Sequence, residues 1–207
     1  NCRVLISGAG AAGSAIARFL MSMGAGEIIM NDREGLLCID DPNLDPARRD
    51  IAAATNPNKV RGTIADGLRG ADIFVGVSAP GIVTSDMIRT MNDKAIVFSM
   101  ANPVPEIMPE ESKKGGAFII GSGRSDYPNQ VNNVLAFPGI FRGALDARAS
   151  DINDEMKLAA AKAIADLVPE NELSPEKILP LAFQPGVGAA VGKAVKEAAI
   201  KSGVARI

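Results

Sequence analysis

A glycine-rich segment near the amino terminus constrains the fold of this chain more than any other feature. The apolar run Arg3–Ser7 has the length of a strand and leads directly into Gly-Ala-Gly-Ala-Ala-Gly, and residues 14–20 then have the composition of a helix. In this order the first glycine permits a sharp turn, the second lets a pyrophosphate approach, and the third lets the helix pack closely on the strand. We therefore expect a dinucleotide-binding turn formed by Gly8, Ala9, Gly10, Ala11, Ala12 and Gly13.

An acidic residue follows at the spacing that such a turn requires. The second apolar run, Glu27–Met30, ends in Asn31 and Asp32, and Asp32 lies about 20 positions after the last glycine, where a carboxylate binds the adenosine ribose hydroxyls. Arg33 follows directly, and an arginine at this place can hold the 2′-phosphate of NADP while Asp32 turns away. The pattern favours NAD and leaves NADP open, with Asp32 and Arg33 as cofactor-binding candidates.

Further apolar runs predict the rest of a sheet. Runs of this length, separated by helical or turn segments, are typical of parallel strands that are buried on both faces. The predicted fold is α/β, a Rossmann-like doubly wound, mainly parallel sheet with helices on both faces. Its later strands are predicted over Ile73–Val77, Ala95–Ser99 and Ala117–Gly121, and its short helices over Ala47–Thr55 and Thr63–Gly70.

Small and polar residues follow each of the later strands, at Ser78–Gly81, Met100–Pro103 and Ser122–Arg124. In a doubly wound sheet the ligand lies outside the carboxyl ends of the strands, so these segments are expected to line one cleft with the glycine turn. Ser78 and Gly81 are small enough to let the nicotinamide ribose come close, although Pro80-Gly81 is also an ordinary turn signal. Both are candidate cofactor contacts.

The last third of the chain is predicted to be helical. A polar loop over Tyr127–Gly139 precedes a short helix over Ile140–Ala147, and an amphipathic helix from Asn153 ends near Pro169. The final helix carries an apolar stripe from Val187 to Ala199. The stripe is expected to face the core, with a dimer seam as the alternative.

Composition excludes several classes of function. The chain has 207 residues and no histidine, so it cannot build a histidine general base or a histidine-ligated metal site. Its two cysteines have no metal-ligand spacing, and its net charge of −2 with scattered basic residues argues against nucleic-acid and membrane partners. Since there is no signal-peptide pattern and no run long enough to span a membrane, the protein is expected to be cytoplasmic.

Four segments, in this order, resemble the nucleotide-binding domain of bacterial-type malic enzymes, and together they reach over nearly the whole chain. The fourth is long enough to be specific. The segments are Gly8–Gly13, Gly76–Gly81, Met100–Glu106 and Gly123–Gly139, the last of which contains Val-Asn-Asn-Val-Leu-Ala-Phe-Pro-Gly.

The resemblance implies oxidative decarboxylation of (S)-malate to pyruvate and CO₂, with hydride transfer to NAD or NADP and Mg or Mn bound in the full-length enzyme. In that family the catalytic tyrosine, the general-base lysine and the metal-binding carboxylates precede the glycine turn, so no catalytic or metal residue is expected within this chain. Residues 1–207 are then the dinucleotide-binding domain, with its C-terminal helices from about residue 153, of an enzyme whose N-terminal catalytic domain lies outside the chain. The family also implies a homodimer.

Three asparagines correspond by position to substrate contacts in the family. Asn102 corresponds to one that reaches toward malate, and one of Asn132 and Asn133 to a second. An amide can donate to a carboxylate without adding charge beside a metal. The alternatives are an Asn-Pro turn at Asn102 and a loop whose asparagine side chains bind their own backbone. Asp126 and Tyr127, in the same motif as the asparagine pair, are left out of the catalytic assignment.

Two other functions compete with this interpretation. One is a different NAD(P) oxidoreductase with a similar domain, such as an amino-acid or folate-linked dehydrogenase, although the Asn-Asn-Val-Leu-Ala-Phe-Pro-Gly segment argues against it. The other is a non-catalytic module that senses NAD, which would also explain the lack of acid and base residues.

Overall fold

The structure, a computed structural model, describes residues 2–207. The chain divides into two compact units, Asn1–Tyr127 and Pro128–Ile207. The division therefore falls ahead of residue 153, where the C-terminal helices were expected to begin.

A six-stranded sheet forms the centre of the first unit. The order of its strands is β3-β2-β1-β4-β5-β6, and every neighbouring pair is parallel except β2 and β3. The order reverses between β1 and β4, which is where doubly wound sheets bind their ligands. The predicted parallel sheet is thus confirmed. Its strands are β1 (Arg3–Ser7), β2 (Glu27–Asp32), β3 (Gly35–Leu36), β4 (Ile73–Gly76), β5 (Ile96–Ser99) and β6 (Ile119–Ser122).

Helices cover both faces of this sheet, because alternate strand residues point to opposite sides. Leu5 and Phe74 belong to one buried cluster, which includes residues of α3 and α4, whereas Ile6 and Val75 belong to a second one with α1 and α2. The predicted doubly wound arrangement is confirmed. The helices of the first unit are α1 (Ala11–Ser22), α2 (Pro46–Ala54), α3 (Ile64–Leu68), α4 (Ser85–Ile88) and α5 (Pro109–Lys114).

Local signals explain where several of these helices begin. Asp45 caps α2 by accepting the N–H of Arg48, and Pro46 follows at the first helical position, where no backbone donor is needed. Thr63 and Asp66 form a capping box at the start of α3. Strand β3 and helices α4 and α5 were not predicted, because they are too short to show a period.

Three helices and two single 3₁₀ turns make up the second unit. The helices are α6 (Phe137–Asp146), α7 (Asp154–Ala165) and α8 (Val187–Lys201), and the 3₁₀ turns are Asn133–Leu135 and Glu170–Glu172. Helix α6 begins at Phe137 rather than at Ile140, because Pro138 suits a first helical turn. The predicted loop is therefore wrong over its last residues.

The apolar stripe of α8 is buried within this second unit. Val191 and Val195 are 0% exposed and share a cluster with residues of α6 and α7. Helices α6 and α8 approach closely because glycines face the contact: a Cβ at Gly143 would lie 2.4 Å from the Gly192 carbonyl oxygen. The expectation that the stripe faces the core is confirmed.

Candidate cofactor-binding site

A cavity of about 570 Å³ opens at the carboxyl ends of β1, β2 and β4 in the first unit. This volume is in the usual range for small-molecule sites. The cavity brings the first half of the glycine turn together with Asp32, Arg33 and Ser78, which lie far apart in the sequence. Its lining residues are Ser7, Gly8, Ala9, Gly10, Asn31, Asp32, Arg33, Glu34, Gly35, Arg48, Thr63, Ile64, Ser78, Ala79 and Ile82.

The three glycines of the turn have three different surroundings. Gly8 has φ +114°, and a Cβ there would lie 2.6 Å from the Val77 carbonyl oxygen. A Cβ at Gly13 would lie 1.7 Å from the Gly8 carbonyl oxygen, so this glycine sets the distance between α1 and the turn. A Cβ at Gly10 would meet nothing within 4 Å. The open side of Gly10 therefore leaves room for a ligand to approach the backbone.

The amino-terminal end of α1 is open to a ligand as well. Gly10 is the N-cap residue, and no side chain among residues 2–207 caps this helix. The N–H groups of the first turn, at Ala11, Ala12 and Gly13, have no acceptor within the helix, and the helix dipole makes this end positive. A phosphate group fits such an end, so the turn meets the geometric requirements of a dinucleotide.

Asp32 forms an ion pair that sequence reasoning did not anticipate. Its side chain is 8% exposed, and Oδ2 lies 2.7 Å from Nε of Arg48, a residue of α2. Oδ1 accepts the N–H of Glu34 at 3.3 Å. Arg33 is exposed and also lines the cavity. Two arginines therefore lie beside the acid that would bind the ribose, and only the folding of α2 brings the second one there.

Ser78 and Gly81 differ in their relation to the cavity. Ser78 lines it, and its hydroxyl lies 2.9 Å from the hydroxyl of Ser7. Gly81 has φ +68° and donates its N–H to the carbonyl oxygen of Pro105 at 3.1 Å, but it is outside the lining. The turn function of Gly81 therefore has direct geometric support, whereas Ser78 has the position expected of a ligand contact.

Glu106 is a residue to which sequence reasoning assigned no role. It is 0% exposed and accepts the backbone N–H of Ser78 at 2.7 Å and that of Ala101 at 3.1 Å. Glu106 ends the segment Met100–Glu106, one of the four that carry the resemblance, but nothing in this segment indicates which groups the acid binds. Only the fold shows that one carboxyl group joins the segments that follow β4 and β5.

Asn102 lies in an exposed position in the segment after β5. A Cβ at Gly123 would lie 3.5 Å from both Nδ2 and Oδ1 of Asn102, so the segments after β5 and β6 are neighbours here. Neither segment lines the 570 Å³ cavity. The prediction of one cleft shared with the glycine turn had required both segments to line it. The reason for the difference is that the cavity lies over the ends of β2, β1 and β4, whereas β5 and β6 continue the sheet beyond β4.

The asparagine pair is part of the second unit. Oδ1 of Asn132 accepts the N–H of Val134 at 3.0 Å and so caps the 3₁₀ turn that follows. Asn133 is exposed. One member of the pair thus has a local backbone role, and the side chain of the other faces solvent.

Tyr127 belongs to a small polar cluster in the first unit. Its hydroxyl donates a hydrogen bond to Glu110, and this bond is the main reason that the pKa of Tyr127 is raised above its usual value. The same bond lowers the pKa of Glu110. Arg124 donates two hydrogen bonds to Asp126, at 2.9 and 2.6 Å, and lies 5.6 Å from the centre of the Tyr127 ring. A tyrosine with a raised pKa keeps its proton at neutral pH, and here the hydroxyl is engaged in its bond to Glu110.

Residues 2–207 contain no group of three or more acidic or cysteine side chains placed to share a metal ion. In the same range, none of the helices combines the length and the apolar character needed to cross a bilayer. The mainly parallel sheet, the glycine turn at its point of reversal and the acid at the end of β2 define this chain as a Rossmann-like dinucleotide-binding domain.

Comparison with known proteins identifies the family. The family model described as "Malic enzyme, NAD binding domain" matches residues 1–200, and the chain belongs to this family. It is similar to the NAD-dependent malic enzyme of Geobacillus stearothermophilus, with 50% identity over 206 residues that cover 100% of this chain and 43% of that protein. To the NADP-dependent malic enzyme of Rhizobium meliloti (strain 1021) the identity is 42% over 224 residues, covering 100% of this chain and 29% of that protein.

A solved structure agrees with the sequence comparison. The malic enzyme from Pyrococcus horikoshii Ot3 superposes with a TM-score of 0.91 and 44% identity, over 100% of this chain and 49% of that one. The chain spans less than half the length of each of these three proteins. The resemblance found in the sequence is thereby confirmed. The fold class is confirmed as well, and so is the assignment of an NAD or NADP cofactor.

Proposed function

We propose that this chain is the NAD(P)-binding part of a malic enzyme that converts (S)-malate to pyruvate and CO₂. The observation that carries the binding of the dinucleotide is the combination, in one cavity, of the open glycine turn and the carboxyl group of Asp32. The reaction with malate is supported by the match of residues 1–200 to the malic enzyme family. A bound dinucleotide supplies the hydride acceptor. The chain positions it by binding its pyrophosphate at Gly8–Gly13 and its adenosine ribose at Asp32.

The preferred cofactor in this proposal is NAD. A 2′-phosphate would place negative charge next to Asp32, whose own charge repels it, and Arg48 is already paired with that acid. Use of NADP would require Asp32 to turn away and release Arg48 and Arg33 to the phosphate. The two arginines make such a change of preference accessible by a single substitution.

Substrate contacts are assigned to Asn102 and Asn133. Both are exposed and able to donate through their amide groups, whereas Oδ1 of Asn132 already binds the backbone of Val134. The metal ion, Mg or Mn, and the acid and base groups are assigned to a part of the enzyme outside residues 1–207. This assignment fits the composition, because the loops that follow β4, β5 and β6 are rich in serine, asparagine and glycine.

The remaining proposals concern the whole protein. Residues 1–207 act as one dinucleotide-binding part, the enzyme is a homodimer, and it works in the cytoplasm, where the free thiols of Cys2 and Cys38 stay reduced. Sedimentation analysis of the full-length protein tests the dimer, and a monomer at micromolar concentration would contradict it.

The test of the proposed function begins with calorimetric titration of the full-length protein by NAD and, separately, by NADP. NAD is expected to bind more tightly, and malate with Mn²⁺ is expected to drive its reduction. Replacing Asp32 by Ala removes the ribose contact and should weaken NAD binding at least about tenfold, as for the loss of a hydrogen bond to a charged group. Unchanged NAD affinity in this variant would refute the ribose role, and absence of malate-dependent reduction in the wild type would refute the reaction.

A further inference from the structure

One buried acid joins two loops at the carboxyl edge of the sheet in the first unit. Oε1 of Glu106 accepts the N–H of Ser78 at 2.7 Å, and Oε2 accepts the N–H of Ala101 at 3.1 Å. Ser78 follows β4, and Ala101 follows the adjacent strand β5. A single carboxyl group therefore sets the spacing between the backbone segments that leave these two strands.

The position of Glu106 is fixed on every side. The carbonyl oxygen of Glu106 accepts the N–H of Val83 at 3.0 Å, and the neighbouring Ile107 carbonyl oxygen accepts from Ser99 Oγ at 3.1 Å. The side chain fills space that β4 leaves open, because a Cβ at Gly76 would lie 2.4 Å from Cδ of Glu106. Glu106 thus cannot shift without breaking contacts with both loops.

A chain of hydrogen bonds connects this acid to β2, beyond the point where the strand order reverses. Nδ2 of Asn31 donates to Oγ of Ser7 at 3.3 Å, and the hydroxyls of Ser7 and Ser78 lie 2.9 Å apart. The Ser78 hydroxyl donates to Oε1 of Glu106 at 3.4 Å, so its bond with Ser7 must have Ser7 as the donor. From Asn31 on β2 to Glu106, each group therefore donates its hydrogen bond in the same direction along the carboxyl edge of the sheet, where the cofactor is proposed to bind.

We propose that Glu106 is a positioning residue that holds the cofactor loop at Ser78 and the substrate loop at Asn102 at a fixed distance. Ala101 directly precedes Asn102, so displacement of the Ala101 N–H also displaces the Asn102 amide. Burial of a carboxyl group costs free energy unless its oxygens are hydrogen-bonded. The buried oxygens of Glu106 accept backbone N–H groups from the loops that contain Ser78 and Asn102, which the proposed reaction uses. This inference rests on the proposed function, because it takes Ser78 and Asn102 as contacts of cofactor and substrate.

The two halves of the dinucleotide are expected to depend on Glu106 to different extents. The glycine turn and Asp32 would bind the ADP half, and within residues 2–207 neither forms a hydrogen bond with Glu106. Ser78 and Asn102 would lie near the nicotinamide half. Loss of Glu106 is therefore expected to affect binding of the nicotinamide half and turnover of malate, and to spare binding of ADP, which lacks both the nicotinamide and the ribose attached to it.

The test uses the full-length protein with Glu106→Gln. Glutamine has the shape of glutamate but only one acceptor oxygen, so one of the two backbone N–H groups faces an NH₂ group instead. We expect kcat/KM for malate to fall at least about tenfold, as for a misplaced group at a reacting centre. We also expect the affinity for NAD to fall toward that for ADP, while ADP affinity stays within about twofold, a change too small to indicate a lost contact.

Two further variants distinguish positioning from general stability or charge. Ser112→Ala removes another fully buried polar group, whose Oγ donates to the Met108 carbonyl oxygen at 3.3 Å on α5. It should lower the Tm without changing the ratio of NAD to ADP affinity. Glu106→Asp keeps the charge but shortens the reach, so it should not restore kcat/KM.

The outcomes separate this inference from the proposed function. If the wild type reduces NAD with malate but Glu106→Gln has wild-type kcat/KM, or if Glu106→Asp restores it, the inference is overturned and the function stands. Equal loss of NAD and ADP affinity in Glu106→Gln would show a role in the fold alone. If the wild type shows no malate-dependent reduction, the reaction falls, and the ratio of NAD to ADP affinity still decides whether Glu106 positions the nicotinamide loop. A wild-type protein that binds neither nucleotide would overturn both.

Discussion

Replacement of Gly13 by Ala, compared with the same change at Gly10, tests whether the glycine turn works as its geometry indicates. The new Cβ at Gly13 would lie 1.7 Å from the Gly8 carbonyl oxygen, and real Cβ atoms essentially never come closer than 3.0 Å to another atom. Helix α1 must therefore retreat from the turn by more than 1 Å. The opposing atom belongs to the backbone, which cannot rotate away as a side chain could.

The expected cost follows from this clash. Overpacking of a rigid contact costs about 1–3 kcal/mol, and a backbone contact falls at the upper end. A loss of about 3 kcal/mol lowers the Tm of a unit of this size by roughly 6–12 °C. Retreat of α1 also moves its free N–H groups away from the pyrophosphate, so NAD binding should weaken at least about tenfold.

Gly10→Ala is the matched control, because a Cβ at Gly10 would meet nothing within 4 Å. Alanine is a poorer N-cap residue than glycine, but this costs no more than about 1 kcal/mol. The methyl group would nevertheless occupy the space through which the pyrophosphate approaches. We expect near-normal stability with weakened NAD binding, measured by thermal unfolding and by titration calorimetry of the same samples. A Gly13→Ala protein with the wild-type Tm would refute the reasoning, as would equal destabilisation by both changes.

Three further predictions concern the pH dependence, the second unit and the choice of cofactor. The pKa of Asp72 is lowered, first because its carboxylate accepts the Arg3 N–H at 2.7 Å and then because it accepts from Asn92 at 2.8 Å. Its stabilising effect is therefore full above the unfolded pKa of about 3.9 and is lost as the pH falls through the lower folded pKa. The difference in urea midpoint between the wild type and Asp72→Asn should be larger at neutral pH than in acid, and a constant difference would contradict this. Gly143→Ala, whose Cβ would lie 2.4 Å from the Gly192 carbonyl oxygen, should destabilise the second unit by about 1–3 kcal/mol. Gly188→Ala, with nothing within 4 Å, should leave its Tm unchanged or raise it, since alanine is up to about 1 kcal/mol better in a helix. Arg48→Gln removes a cation from the cavity beside Asp32. It should raise the ratio of NADP to NAD dissociation constants about tenfold, the contribution of one charge-assisted hydrogen bond. An unchanged ratio would show that Arg48 does not bind the 2′-phosphate.

The elements that sequence reasoning predicted correctly are those with strong local signals. The run Arg3–Ser7 became β1 and the stripe of α8 became a buried face, because a continuous apolar run and a helical period can each be read from one segment alone. Strand β3 has two residues and α4 has four, so neither is long enough to display a period. The early start of α6 was missed because Pro138 lies within a stretch that also contains loop residues.

The candidate site shows the same division. The spacing of Gly8, Gly10, Gly13 and Asp32 could be read directly, because sharp turns and close backbone approach are demands on single residues. The ion pair of Arg48 with Asp32 and the two bonds of Glu106 could not, because they join segments that meet only when α2 and the strands have packed. The sequence by itself thus determined the class of ligand and the turn that binds it. Only the tertiary structure decided which charged groups surround that turn, because contacts between distant residues depend on the packing of whole elements.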